Sequence, residues 1–137
     1  MGSYRRWAET KFNRPEGLMI FVELLTPDEN EWLAWLGVQP VPDEYEEWSV
    51  QHVSIPCGPD EQLLFTYDLL RKSIEIRWTQ GSEMLVEIIR EGVRRISLTF
   101  NRTTGANIRV IFSDSLVVSN VMNVRVWPSI SIRDEMR

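Results

Sequence analysis

Two stretches of the chain alternate apolar and polar residues with a period of two, and this alternation constrains the fold more than any other feature. The apolar residues are Leu63, Phe65 and Tyr67 in the first stretch and Ile74, Ile76 and Trp78 in the second. Because side chains two positions apart point to the same face of a β-strand, each stretch has one apolar face to bury. The short segment between them predicts that the two strands form an antiparallel hairpin.

The chain continues as short predicted strands after this hairpin. Residues 83–90 fit both helical and strand spacing, and we prefer a strand because residues 93–100 then complete a second hairpin across Glu91 and Gly92. Further strands are predicted over residues 108–112, 116–119, 121–127 and 130–133.

The N-terminal part of the chain carries the clearest helix signal. An almost continuous apolar run over residues 18–25 predicts a strand buried on both faces. A short helix is then predicted over residues 27–36. Its start is indicated by Thr26 as N-cap and Glu29 at the capping-box position, and its end by Gly37.

Helical spacing sorts the large apolar residues of this helix. Trp32, Leu33 and Leu36 share the face that we expect to pack on the sheet. Trp35 lies at the margin of that face, beside Glu31 one turn earlier. We therefore predict that Trp35 is an exposed aromatic residue.

These elements predict an α+β fold that is mainly antiparallel β. We expect a sheet or sandwich of about seven to nine strands with one short N-terminal helix, and an all-β sandwich is the alternative. A length of 137 residues suits a single domain. Residues 1–16 form a leader that we expect to be partly flexible, and residues 17–137 form the globular body.

The cysteine content and the apolar runs of the sequence indicate the cellular compartment. Cys57 is the single cysteine, which fits a reducing environment. The sequence contains neither a signal-peptide pattern nor a run of about 20 apolar residues, which a membrane-spanning helix needs. We therefore expect a soluble, cytoplasmic protein with no membrane partner.

Charge is distributed unevenly along the chain. Residues 15–70 carry twelve carboxylates and no lysine or arginine, whereas the rest of the chain carries all 15 basic residues and eight carboxylates. At the centre of the acidic segment, residues 26–48 set three tryptophans and a tyrosine among seven carboxylates. Aromatic residues anchor interfaces and carboxylates steer basic partners, so this stretch predicts a docking surface for a basic protein.

The residues that we predict to bind the partner fall into two groups. The carboxylates whose electrostatic field attracts the basic partner are Glu31, Asp43, Glu44, Glu46 and Glu47. The aromatic residues that supply contact area are Trp35, Tyr45 and Trp48. The alternative is a solvated acidic surface whose aromatic residues belong to the core.

Four arginines alternate with apolar residues in the predicted strands, so we expect them to project from the polar face of the sheet. They are Arg77, Arg109, Arg125 and Arg133. Nucleic acid is disfavoured as a partner because the net charge is -5 and the chain has two lysines. A solvated face, or pairing with the acidic segment of the same chain, is the preferred interpretation.

Residues for catalysis are few. A strand is predicted over residues 48–55, before the turn at residues 56–60. His52 and Cys57 lie at one end of it and could form a base and nucleophile, but no third group to orient the histidine is evident. Paired carboxylates such as Asp43 and Glu44 lack the glycine-punctuated spacing of a calcium loop. We predict no catalytic residue, no metal site and no cofactor.

Three hypotheses follow, and the first depends on a resemblance carried by residues 26–48. A small, acidic protein with this stretch resembles the immunity proteins that bacteria make against their own nuclease or other toxin domains, although no family motif is matched residue by residue. The resemblance implies a non-enzymatic inhibitor that occludes a basic active site.

The second hypothesis is a self-assembling structural or adaptor subunit, and the third is a small enzyme using Cys57 and His52. We expect a monomer or a weak homo-oligomer.

Overall fold

The structure is a computed structural model that describes residues 23–46, 48–112 and 120–136. In these residues the strands form two antiparallel sheets. The first sheet has the order β1 (Val41–Pro42), β2 (Val50–Gly58), β3 (Glu61–Asp68), β4 (Ser73–Gln80) and β5 (Glu83–Glu91). The second has the order β6 (Val93–Asn101), β7 (Gly105–Phe112), β8 (Asn120–Trp127) and β9 (Ser131–Met136).

The hairpin predicted from the two alternating stretches is confirmed as β3 and β4. Phe65 lies opposite Ile76, and Tyr67 lies opposite Ile74. All four side chains are buried, whereas the alternating residues face the other side of the sheet. The period of two in the sequence therefore set both the strands and the face that each one buries.

The second predicted hairpin is wrong, although both of its strands form. β5 pairs with β4 in the first sheet, and β6 pairs with β7 in the second. Between them Gly92 has a φ of 77°, a left-handed conformation that favours glycine and turns the chain out of the first sheet. The amide of Val93 then donates to the carbonyl of Lys72 instead of continuing a hairpin ladder.

Several other predictions can be placed on the structure. The strands expected over residues 108–112, 121–127 and 130–133 are found as β7, β8 and β9. The strand expected over residues 116–119, the leader 1–16 and the first part of the strand expected over residues 18–25 lie outside the described residues. In the described part of that last segment, Leu25 forms a parallel bridge with Arg95 of β6.

The helix α1 (Glu29–Leu36) begins two residues later than predicted. Its N-cap is Asp28, whose carboxylate accepts a hydrogen bond from the amide of Glu31 at 2.8 Å. The Glu31 carboxylate in turn accepts from the amide of Asp28 at 3.1 Å. This reciprocal pair completes a capping box and places the helix start after Asp28. Gly37, at φ 73°, ends the helix as predicted.

α1 contacts the first sheet chiefly through Trp32. The indole is fully buried and lies parallel to the ring of Tyr67, with 6.1 Å between centroids. It also contacts Phe65 at 6.0 Å. Leu33, which we expected on the packed face, is 47% exposed, so that part of the prediction is wrong.

The buried faces of both sheets contribute to one hydrophobic cluster. It includes Val53 and Phe65 from the first sheet and Ile108 and Val124 from the second, with Trp32 of α1. A mainly antiparallel α+β fold, with nine strands and one short helix in the described residues, is thus confirmed. The sandwich arrangement of the sheets stays a prediction. No helix within the described ranges is long and apolar enough to cross a membrane.

Candidate functional site

The acidic loop, which we define as residues 43–46 and 48, connects β1 to β2, and its described residues form a tight turn. Asp43 organises it, because its carboxylate accepts hydrogen bonds from the amides of Tyr45 at 3.0 Å and Glu46 at 3.1 Å. The carbonyl of Glu46 then accepts from the amides of Ser49 and Val50 at the start of β2. The loop conformation therefore depends on one carboxylate and on main-chain hydrogen bonds.

A chain of three side chains fastens this loop to the first sheet. The second Asp43 oxygen, Oδ1, lies 2.7 Å from His52 Nε2, and His52 Nδ1 lies 2.9 Å from Thr66 Oγ1. His52 and Thr66 are directly opposite each other on β2 and β3. The hydrogen bond to His52, with those from the two loop amides, lowers the pKa of Asp43.

The other described side chains of the loop are exposed to solvent. Tyr45 is 86% exposed and Trp48 is 43% exposed. Glu44 and Glu46 are exposed, and Glu47 lies outside the described residues. The structure thus leaves the predicted aromatic residues of the loop on the surface rather than in the core.

Within the described residues, the only basic side chain at ion-pair distance from a carboxylate of the acidic loop is His52, which contacts Asp43. Arg77, expected as one possible partner, is held instead by Glu75 at 2.7 Å and Glu87 at 3.2 Å. The exposed charge of Glu44 and Glu46 is therefore not offset by a described residue of the same chain.

The other three predicted arginines lie on the second sheet. Arg109 alternates with the fully buried Ile108 and Val110, so it projects from the face that points away from the core. Asn123 stands opposite both Arg109 and Arg133, and Arg125 follows two positions later on the same strand. With Arg95 of β6, these residues form what we call the arginine face: Arg95, Arg109, Arg125 and Arg133. Pairing of these arginines with the acidic loop is not found in the described residues.

The helix carries the two other residues of the predicted site. Glu31 is exposed, but its carboxylate is engaged in the capping box with Asp28. Trp35 is 45% exposed, as predicted. Its ring contacts Phe100 of β6, with 6.4 Å between centroids, and Phe100 contacts Trp127 of β8 at 6.0 Å. Glu31 therefore has a structural role, and Trp35 belongs to an aromatic surface that extends onto the second sheet.

These three aromatic rings line an open groove of about 410 Å³, which we call the aromatic groove. Its other walls come from the end of α1, the end of β2 around Pro56 and Cys57, and the start of β7. Phe100 and Trp127 were missed in the sequence, although each is an aromatic residue at the end of a predicted strand. That position was the available signal, because strands of one sheet that run in the same direction end at the same end of the sheet.

The predicted site is therefore two surfaces rather than one. The acidic loop lies at the start of β2, before Val50, whereas the aromatic groove lies at its end, around residues 55–57. Five to seven residues of strand separate them by about 17–23 Å. The acidic loop connects β1 to β2, and the end of α1 lines the aromatic groove together with the end of β2.

The structure does not bring His52 and Cys57 together. His52 lies on the outer face of the first sheet, bonded to Asp43 and Thr66, whereas Cys57 packs against the hydrophobic cluster. Burial, and secondarily the nearby Glu61, raise the pKa of the Cys57 thiol, which disfavours the nucleophilic thiolate. Among the described residues, no group of three or more metal-ligating side chains converges.

Comparison with known proteins yields a likeness of fold. No protein-family model matches the chain, and no curated protein matches its sequence. A solved structure, the contact-dependent growth inhibition toxin–immunity protein complex from Klebsiella pneumoniae 342, contains a chain of similar fold with a TM-score of 0.71 and 18% sequence identity. The match covers 86% of this chain and 100% of that chain.

Proposed function

We propose that this chain is an immunity protein, a non-enzymatic inhibitor that binds a basic toxin domain and occludes its active site. The observation that carries this proposal is the acidic loop, whose exposed carboxylates have no basic partner among the described residues except His52 on Asp43. In this role the protein acts in the bacterial cytoplasm, where it protects the cell that makes it.

The electrostatic part of the argument concerns association. Glu44 and Glu46 flank the exposed ring of Tyr45, and the Asp43 hydrogen bonds hold all three in one turn. A fixed cluster of like charges attracts a basic surface over the Debye length, about 8 Å at physiological ionic strength. The loop therefore steers and orients the toxin, and the aromatic rings beside it supply contact area.

The aromatic groove supplies a second anchor in this proposal. Trp35, Phe100 and Trp127 are each about half exposed, and the ring of Phe100 contacts both tryptophans, so they form one exposed apolar patch of the kind found at interaction sites. A standard interface covers about 800 Å² on each partner, a patch about 30 Å across. The acidic loop and the groove, about 17–23 Å apart along β2, fit within one such patch.

The fold comparison supports the same proposal. A similar fold occurs in a chain of a toxin–immunity protein complex. Of the two roles in such a complex, the acidic loop favours that of the immunity protein, since an inhibitor of a basic active site needs a surface of opposite charge.

A protection assay tests the proposal. The chain is expressed together with its expected toxin, sought as the product of the neighbouring gene, and growth is compared for three versions of the chain. Wild type should restore growth, whereas the loop-reversed variant, Glu44→Lys with Glu46→Lys, should restore it poorly. The control variant, Glu83→Lys with Glu91→Lys, makes the same charge change on the exposed edge of β5 and should protect like wild type. Equal protection by both variants would remove the acidic loop from the mechanism.

A further inference from the structure

The two sheets carry opposite charge on the faces that point away from the core. The outer face of the second sheet has the four arginines of the arginine face and one carboxylate, Glu135, which leaves a formal charge of +3 in the described strands. On the outer face of the first sheet, the strand carboxylates outnumber the single arginine Arg77. The protein is therefore electrically polar although its net charge is -5.

Most of the arginines of the arginine face form no short ion pair within the described residues. Arg95 and Arg109 are exposed and have no carboxylate at ion-pair distance in the described ranges. Arg133 is 73% exposed and reaches Glu135 only at 3.8 Å. Arg125, by contrast, is held by two hydrogen bonds to Ser129. The side chains open to a partner are thus Arg95, Arg109 and Arg133.

From these charges we propose that the arginine face is a docking surface for the acidic loop of a second copy of this chain. The two surfaces present matching patterns. Arg109, Asn123 and Arg133 form one cross-strand row, basic, neutral and basic, with the arginines about 10 Å apart on alternate strands. The loop offers Glu44, Tyr45 and Glu46, acidic, aromatic and acidic.

The acidic loop suits this row better than the strand carboxylates do. Glu75 and Glu87 already pair with Arg77 at 2.7 and 3.2 Å. Glu44 and Glu46 have no such partner in the described residues, and the ring of Tyr45 between them is 86% exposed. A guanidinium over that ring gains a cation–π contact in addition to the ion pairs.

The position of the two surfaces fixes the kind of assembly. The acidic loop is fastened to the outer face of the first sheet through His52, and the arginine face is the outer face of the second. The acidic loop and the arginine face are two different surfaces of one copy, so the contact is heterologous, head to tail, and adds copies in sequence. Exposed ion pairs are weak, so this association depends on low salt and high protein concentration.

Sedimentation velocity over a concentration series tests this inference. At 0.01 M ionic strength, where the Debye length is about 30 Å, the mean mass of the wild type should rise with concentration beyond that of a dimer. At 1 M, where it is about 3 Å, the wild type should sediment as a monomer. A wild type that stays monomeric at low salt would overturn the inference.

Two charge-reversed variants make the test specific. The loop-reversed variant, Glu44→Lys with Glu46→Lys, and the face-reversed variant, Arg109→Glu with Arg133→Glu, should each remain monomeric alone, because each brings like charges together. Their equimolar mixture should assemble. In it the basic loop of the loop-reversed variant meets the acidic face of the face-reversed variant, and the acidic loop of the face-reversed variant meets the arginine face of the loop-reversed variant. Failure of the mixture to assemble, or assembly of either variant alone, would contradict the proposed contact.

Controls separate this inference from misfolding and from the proposed function. Arg94→Glu with Arg102→Glu reverses two exposed arginines outside the arginine face and should leave assembly unchanged. Near-ultraviolet circular dichroism checks that all variants fold. The face-reversed variant should still protect cells against the toxin, because it retains the acidic loop. Protection without wild-type assembly would therefore reject the self-docking contact alone, and assembly without protection would reject the immunity function alone.

Discussion

Asp43 Oδ1 lies 2.7 Å from His52 Nε2, and this contact fastens the acidic loop to the outer face of the first sheet. The same carboxylate accepts hydrogen bonds from two loop amides, so it connects the loop both to itself and to β2. A charged loop held in one conformation loses less entropy on binding than a mobile one. The relationship between these two residues therefore links the fold to the proposed binding surface.

The first prediction concerns Asp43→Asn, which keeps the size of the side chain and removes its charge. The amides of Tyr45 and Glu46 lose a charged acceptor, so their hydrogen exchange should accelerate, by roughly tenfold if the turn opens locally. Exchange monitored by NMR measures this. Glu44→Gln, which removes the adjacent charge but no acceptor of the two loop amides, is the matched control and should leave both amides unchanged.

The second prediction is a pH dependence. The folded-state pKa of Asp43 is lowered, chiefly by the hydrogen bond to His52, so the contribution of this carboxylate to stability is fully present above its unfolded pKa of about 3.9. It is lost as the pH falls through the lower folded pKa. Wild type should thus melt at a higher temperature than Asp43→Asn at pH 5, and the difference should shrink towards pH 2. If the melting temperatures of wild type and Asp43→Asn differ by the same amount at pH 5 and pH 2, the lowered pKa of Asp43 does not contribute to stability as proposed.

The third prediction contrasts two tryptophans of α1. Trp32 is fully buried against Phe65 and Tyr67, so Trp32→Ala should lower the free energy of unfolding by about 3–5 kcal/mol. Trp35 is 45% exposed and contacts Phe100, so Trp35→Ala should cost about 1 kcal/mol. Urea denaturation measures both. Equal losses would mean that the two side chains do not differ in burial as the structure shows.

The fourth prediction concerns Gly105 at the start of β7. Its φ is 92°, and a Cβ atom there would overlap the carbonyl oxygen of Trp127, which lines the aromatic groove. Gly105→Ala should therefore destabilise the fold and shift the NMR signals of the Trp127 indole. Gly81, at φ 62° with no atom near its Cβ position, is the control, and Gly81→Ala should cost only the left-handed strain of about 1–2 kcal/mol. Similar losses for both variants would show that the Trp127 carbonyl does not approach Gly105.

The local part of the fold was predictable from the sequence. The alternation of residues such as Phe65 and Ile76 identified β3 and β4 and their buried faces, because that pattern depends only on strand geometry. The departure of the chain from the first sheet at Gly92 was not predictable in the same way. The strands on both sides of Gly92 alternate, and which neighbour each one pairs with is decided by contacts distant in sequence.

The same distinction applies to the site. Composition alone drew attention to Glu44, Tyr45 and Glu46, and the structure places all three on the surface. The contact of Trp35 with Phe100, and of Phe100 with Trp127, required knowing that α1, β6 and β8 meet at one end of the molecule. Long-range arrangement, rather than residue type, makes the aromatic groove.

The most direct test of the central claim is the rate at which the purified chain associates with its expected toxin, sought as the product of the neighbouring gene. Stopped-flow fluorescence measures this rate over a range of salt concentrations. Wild type and the control variant Glu83→Lys with Glu91→Lys should associate rapidly and slow steeply as salt rises. The loop-reversed variant should associate roughly tenfold more slowly at low salt, with a flatter salt dependence. Association of the loop-reversed variant at the wild-type rate and with the wild-type salt dependence would contradict the claim that the acidic loop is the surface that meets the toxin.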